Sequence, residues 1–458
     1  MCVAESRIPA FMPAGVRFWE RGEEEKKKNQ KPTFHLHNLR IVEFVFKINP
    51  NMQKYRYPKE FIRAIPKSDL HVHLDGSLRL KTLIELAKDQ KIELPSYTEE
   101  GLKEKVFKES YKDLSDYLCG FKYTCAVLRD AQALERVAYE LAIDNFEEGV
   151  RYIEPRFAPQ LNAHRKLSVD EVLISVNKGL TRAKKEINQR PAIRSKKEPP
   201  FEYGIIGCAM RKFDERFSEY YRDFIKMHCH TPLRKLYPVA ALEAVRAFVD
   251  LRDQKGIPIV GFDIAGEEKG YPAEDYLESF QFAHERFMKK TVHAGEAYGP
   301  PSIFQAIADC HTDRIGHGTY LFEHQLINGL GAKEGKRYTE ELTQYIADQR
   351  ITIEVCLTSN MQTVPTIKKL KDHPFQKMLE HKLSVTLCTD NRLVSHTTVC
   401  DEIEKALDAF VIPPDHLKDI IIYGFKRSFM ALPYASKREY VRELIEYYEA
   451  MEKRFGVG

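Results

Sequence analysis

From residue 67 onward, short apolar, β-branched runs alternate with amphipathic stretches whose apolar residues recur every three or four positions. Eight runs read as strands: SDLHVHL (68–74), VRYIEPRFAP (150–159), FEYGIIGCAMR (201–211), IPIVGFDIAG (257–266), KTVHAGE (290–296), DRIGHGT (313–319), ITIEVCLTSN (351–360) and LSVTLCTDN (383–391). Segments between them, such as LKTLIELAKDQ and VDEVLISVNKGLTRAKKEI, read as helices. Two stretches, roughly 95–147 after the first strand and 212–235 after the third, read as helical insertions. Eight strand–helix units predict an α/β fold, a (β/α)8 TIM barrel. A doubly wound open sheet is the alternative, but the glycine-rich phosphate loops that would support it do not occur. A barrel further predicts that reactive residues gather at the C-terminal ends of its strands. His71, His73, His293, Glu296, His317, Asp390 and Asn391 all close their runs.

The stretch SDLHVHLDGSLR (68–79) is the densest of these ends. Strand alternation would put His71, His73 and Asp75 on one face, and three polar groups on an apolar strand cost free energy unless something satisfies them. An H-x-H pattern alone is weak, because it recurs at His35/His37 and His228/His230 outside any apolar run. The stronger signal is convergence. His71 and His73 on strand one, His293 on strand five and Asp390 on strand eight meet if the barrel closes. Three imidazoles and a carboxylate suit Zn²⁺, with Fe²⁺, Co²⁺ or Ni²⁺ as alternatives. Such an ion lowers the pKa of its water towards ~7 and makes hydroxide available. Glu296, three residues past His293, would be a proton carrier outside the ligand set. His317 is a second titratable group at the same rim. Singly, Glu296 reads equally as a helix cap, His317 as a structural histidine and TDN as a turn; their joint occurrence favours a site.

Composition narrows the setting. At 458 residues, 43% apolar and 30% charged, the chain reads as globular. A net charge of +4 gives no case for nucleic acid or an anionic membrane, and no run approaches the ~18 apolar residues of a membrane span. Nine scattered cysteines without a C-x-x-C favour reduced thiols and a cytoplasmic location. Residues 1–55 carry the charged block EEEKKKNQKP and read as an N-terminal extension to a single domain, 56–458.

The motifs SDLHVHLDGS, FDIAGEE, HAGE, RIGHGT, EVCLTSN and CTDN, in this order over about residues 65–430, resemble the adenosine deaminases of the metal-dependent amidohydrolase superfamily. The resemblance implies one Zn²⁺ per chain held by His71, His73, His293 and Asp390. It implies a catalytic set of Glu296, His317 and Asp390, in which Glu296 protonates purine N1 and His317 orients and helps deprotonate the water. Gly266 would offer its backbone N–H to the purine, and Asp75 would accept from the ribose 5′-hydroxyl. The reaction implied is hydrolysis of adenosine and 2′-deoxyadenosine to their inosine counterparts and ammonia, a step of purine nucleoside salvage. Strand four, IPIVGFDIAG, lacks the lysine by which other members of the superfamily bridge two metals. Gly316 stands where adenine-specific members tend to carry an acid, and Asp75 would repel a 5′-phosphate. One residue departs from the family. Asn391 stands where a second aspartate usually bonds purine N7, and an amide offers an N–H there at any pH. A related aminopurine as substrate, or an inactive binding barrel, are the competing readings.

Overall fold

A computed structural model describes residues 55–457. The proposed extension at 1–55 and the His35/His37 pair therefore lie outside the described residues, except for Tyr55. The parallel strands are β1 (Lys67–His73), β2 (Val150–Phe157), β3 (Glu202–Tyr203), β4 (Ile205–Met210), β5 (Ile259–Ala265), β6 (Lys289–Ala294), β7 (Arg314–His317), β8 (Thr352–Val355) and β9 (Val385–Leu387). Their order is β1-β2-β4-β5-β6-β7-β8-β9, with the two-residue β3 paired only to β2. Every apolar run contains a strand, and the third holds two, β3 and β4, separated at Gly204. An added Cβ at Gly204 would sit 2.6 Å from Val260, so the chain there has no room for a side chain.

The ring is closed by backbone rather than by a full ladder. His73 N–H donates to the Asp390 carbonyl at 2.7 Å, and Asp390 N–H donates to the His71 carbonyl at 2.7 Å. Eight barrel strands with helices packed outside make a nearly closed (β/α)8 barrel. The strands are buried almost throughout, as expected where one face meets the barrel interior and the other meets helices.

Helices form where capping and pattern agree. Val169–Asn188 opens on a capping box from Ser168 and Glu171 and buries a stripe of Val172, Leu173, Val176, Leu180 and Ala183. The expected first insertion breaks into helices Glu99–Lys105, Leu114–Leu118, Phe121–Val127 and Ala131–Glu147. The last packs on β2 and on helix Val169–Asn188, so it belongs to the outer ring, and the insertion proper ends near 127. The second insertion carries helix Glu219–Met227. Among the described residues no helix is long and apolar enough to cross a membrane.

Candidate active site

The site lies at the C-terminal ends of β1, β6, β7 and β9. His71 and His73 alternate along β1 as expected, but the strand stops at His73, so Asp75 is placed by the turn that follows. Gly76 is obligatory in that turn: a Cβ there would come within 1.8 Å of Asn391 Oδ1. His317 and Asp390 both adopt left-handed backbone, with φ of 68° and 59°. Such conformations cost of order 1–3 kcal/mol in most residues and collect at functional sites. Gly266, at the end of β5, has φ 97°, which a glycine adopts freely.

Ligand atoms of His71, His73, His293 and Asp390 all lie within 4.8 Å of one another, and among the described residues this is the one such group. His293 Nε2 is 3.1 Å from Nε2 of both His71 and His73, while Asp390 Oδ1 is 3.5 and 3.4 Å from those two nitrogens. His228 and His230, the described control pair, are exposed at the end of helix Glu219–Met227.

The outer nitrogens decide what the inner ones can do. His71 Nδ1 bonds Glu354 Oε2 at 2.8 Å, and His293 Nδ1 lies 2.9 Å from Asp263 Oδ2. Burial pushes the Glu354 carboxyl up, but Arg156 and Arg314 outweigh it and hold it well below the carboxylate range. Asp263 is likewise pushed up by burial, and His293 and Arg156 hold it below. Both carboxylates only accept, so each ring keeps its proton outside and turns a lone pair inward. Lone pairs facing one another at 3.1 Å beside an ionised carboxylate repel unless a cation sits among them. With no metal, burial opposes a charge on the His71 imidazole, but Asp390 and Glu354 raise it against that burial and draw a proton into that place. The donor set therefore fits a divalent metal ion. Ser359 Oγ donates to Asp390 Oδ2 at 2.5 Å and leaves Oδ1 for the cluster.

Beneath this layer Arg156 donates to Asp263 Oδ2 and Glu354 Oε2, both at 2.8 Å. Arg314 Nε donates to Glu354 Oε1 at 2.6 Å and its terminal nitrogen pairs with Glu154. One buried guanidinium thus holds the partners of two of the three histidines.

Glu296 is buried, with Oε1 accepting from Thr363 Oγ1 at 3.4 Å and Oε2 lying 3.7 Å from His317 Nε2. Burial, then Asp390 and Glu268, push its carboxyl up to about 8, so it holds a proton at neutral pH. It caps nothing, since helix Pro300–Ala308 has Gly299 at its start and no side-chain cap. The anchor of this loop is Glu268. It accepts the backbone N–H groups of Gly295, Glu296, Ala297 and Tyr298 at 2.8, 3.0, 2.6 and 2.9 Å, and the Ser302 hydroxyl.

A chain of hydrogen bonds fixes the tautomer of His317. Phe375 N–H donates to His373 Nδ1 at 3.1 Å, and burial pushes His373 down to about 3, so it is neutral and protonated on Nε2. That nitrogen donates to Asn360 Oδ1 at 3.2 Å, and Asn360 Nδ2 then donates to His317 Nδ1 at 3.1 Å. Burial and the neighbouring imidazoles keep His317 neutral, so its proton is on Nε2, which faces Glu296. In this state Nε2 donates and has no lone pair with which to take a proton.

Asp75 is buried, with Oδ1 unpartnered and Oδ2 approached by the Cys125 thiol at 3.9 Å, while the backbone N–H groups of Asp75 and Gly76 favour its ionised form. Burial pushes its carboxyl up to about 7. Asn391 Nδ2 donates to Tyr117 Oη at 2.9 Å, and Tyr117 Oη also meets Ser395 Oγ at 2.7 Å. The first insertion is thereby pinned to the loop after β9, a contact the sequence reading did not anticipate. Nor did it single out Glu268, Asp263, Arg156, Glu354, Ser359, Asn360 or His373. A signal existed for some: Glu354, Asp263 and Arg156 are charged residues inside otherwise apolar strand runs.

Residues 66–447 match the model of the adenosine deaminase family. The adenosine deaminase of Mycobacterium avium is 34% identical over 84% of this chain and 96% of its own length. A probable adenosine deaminase of Dictyostelium discoideum is 32% identical over 82% of this chain, which spans 42% of that longer protein. Among solved structures, an amidohydrolase from Burkholderia ambifaria with bound Zn superposes with a TM-score of 0.69 at 17% identity, covering 90% of this chain and 98% of its own. The adenine deaminase of Arthrobacter aurescens does so at 0.66 and 22% identity, covering 84% and 100%. At these identities the structures speak to the fold alone.

Proposed function

Because the chain belongs to the adenosine deaminase family of metal-dependent amidohydrolases, we propose that it hydrolyses the 6-amino group of adenosine and 2′-deoxyadenosine, releasing ammonia. The observation that carries the choice of substrate is Asp75. It is buried, and one carboxylate oxygen has no partner. A ribose hydroxyl satisfies that oxygen whether or not the carboxyl is ionised, adenine leaves it bare, and a 5′-phosphate meets like charge once the carboxyl, raised to about 7, ionises. Gly316 agrees: a Cβ there would come within 3.0 Å of the His71 ring, so a larger residue disturbs the cluster.

His71, His73, His293 and Asp390 would hold one Zn²⁺, which when bound supplies water activated for attack at neutral pH. The chain's own groups do the rest. Glu296, protonated in the site, gives its proton to N1 as the water oxygen bonds C6, so the ring gains no net charge, and the carboxylate so formed takes the proton the water gives up and passes it to the 6-amino group. His317 directs Nε2–H towards the incoming oxygen and orients it. Gly266 offers its N–H to the purine. Asn391 has one N–H committed to Tyr117 and a second with which to meet N7. The amino group leaves C6 as ammonia, and the second proton of the water returns to Glu296, which leaves the 6-oxopurine with its N1–H.

The test is an absorbance assay of adenosine, 2′-deoxyadenosine, adenine, AMP and methylthioadenosine at equal concentrations. The two nucleosides should be turned over fastest. A preference for AMP or free adenine would overturn the assignment.

A further inference from the structure

At the opposite end of the barrel from the histidine cluster, where β6 begins and the chain enters β7 and β8, lies a cavity of about 410 Å³. That is within the size range of small-molecule sites, ~300–1,000 Å³. Five cations line it: Lys289, Arg350, Lys426, Arg427 and Lys437. The single lining carboxylate, Asp313, is already taken by Lys289 at 2.7 Å and by Lys290 at 3.6 Å. Arg350, Lys426, Arg427 and Lys437 form no ion pair with any described carboxylate. Arg427 Nε is buried without a hydrogen-bond partner. Lys437 donates to the Ser428 carbonyl; burial, Arg314, Lys289 and Arg427 oppose its charge, and Glu154, itself paired with Arg314, favours it. Like charges gathered around a concave surface, with their counter-charge missing, are the arrangement a multivalent anion neutralises. Arginine and lysine side chains are also the usual donors to phosphate oxygens. One wall is apolar, formed by Ile307, Ile351 and Phe429 with Tyr345, which is 50% exposed.

We propose that this basic cavity is a second ligand site, separate from the catalytic end, that binds a polyphosphate-bearing anion. The phosphates sit among Arg350, Lys426, Arg427 and Lys437. Free polyphosphate and nucleoside triphosphate share that chemistry, and only the second has a ring to lay against Tyr345.

The probes are inorganic tripolyphosphate and ATP, titrated calorimetrically into the full chain at two salt concentrations. Both should bind saturably and weaken as salt screens the site. The double variant Arg350→Gln/Lys426→Gln removes two exposed cations and leaves the buried ones in place, so the fold survives. It should bind both probes roughly tenfold or more weakly, since each lost contact is charge-assisted. Deamination at zero ligand should stay at the parent rate. ATP binding tighter than tripolyphosphate, with the difference lost in Tyr345→Ala, identifies a nucleotide; equal binding identifies the phosphate chain. No saturation by either probe at millimolar concentration overturns the proposal. Equal affinity for the double variant does so too, because ATP binding would then come from the purine site.

Discussion

Glu268 is the residue whose loss should be felt most widely for the smallest chemical change. In Glu268→Gln the amide turns its NH₂ to the Oε1 side, where the Ser302 hydroxyl can rotate to accept, and Gly295 N–H loses its acceptor. That unsatisfied donor costs about 1–3 kcal/mol. The N–H groups of Glu296, Ala297 and Tyr298 keep an oxygen but lose the charge on it. A hydrogen bond to a charged group is worth ~1 kcal/mol more than a neutral one, so the sum is about 4–6 kcal/mol. With an unfolding entropy of ~2.1 cal/mol/K per residue over about 400 residues, Tm should fall by about 5–7 °C. The catalytic effect is separate. The Glu296 carboxyl is carried on the backbone that Glu268 holds, and a displacement of ~1 Å there costs roughly 10²-fold in kcat. Glu268 is also one of the charges that push Glu296 up, so its neutralisation draws the Glu296 carboxyl down and moves the alkaline limb of the rate profile to lower pH. Calorimetry and a pH series of kcat and KM measure all three. A variant with the parent Tm, kcat and alkaline limb would refute the reasoning.

Other outcomes follow from the same geometry. His293→Ala should lose bound metal, measured by elemental analysis, together with turnover; a metal-free and fully active variant would remove the cluster from the mechanism. Glu296, held protonated up to about pH 8 by burial, Asp390 and Glu268, loses its proton above that; a bound cation opposes the push from Asp390, so kcat should decline with rising pH from no higher than about 8. Glu296→Gln should keep the metal and lose ~10²–10⁴-fold in kcat. Asn360→Asp forces the His317 proton onto Nδ1, because a carboxylate only accepts; metal content should hold while kcat drops and its pH profile changes shape, and an unchanged profile would discard the tautomer chain. 7-Deazaadenosine should lose ~1–3 kcal/mol of transition-state binding if Asn391 donates to N7; equal rates for the two nucleosides would show that the amide serves only Tyr117.

The barrel was legible because its signal is repetitive. Each strand is buried on both faces, so each reads as a short apolar run, and the run ends mark the rim. The histidines of the cluster were legible because polar residues at those ends break the pattern. What lay hidden was convergence from the barrel interior. Arg156, Asp263 and Glu354 sit on three different strands, and strand periodicity gives a face without saying which opposing charges share it. Asp75 was read as the third member of a strand face, whereas a turn places it. His373 and Asn360 act through a loop and a short helix that have no periodicity to read, and the direction of their hydrogen bonds depends on one backbone N–H, that of Phe375.

The closure between β1 and the end of β9 has a mechanical consequence. This junction is a clasp: the residues that join its two edges through the backbone, His71, His73 and Asp390, are the ones whose side chains converge on the cation position. Cation occupancy and closure would then be one equilibrium, a bound ion steadying the ring by RT ln(1 + [L]/Kd) at this single junction. Without the ion, a proton drawn onto His71 is what is left to hold Asp390 in the cluster, and two backbone hydrogen bonds and the Asp69–Thr389 pair keep the edges together. Chelation should therefore let the barrel breathe at one place. Amide exchange should quicken at His73 and Asp390, whose N–H groups span this junction, and stay slow at the other seven junctions.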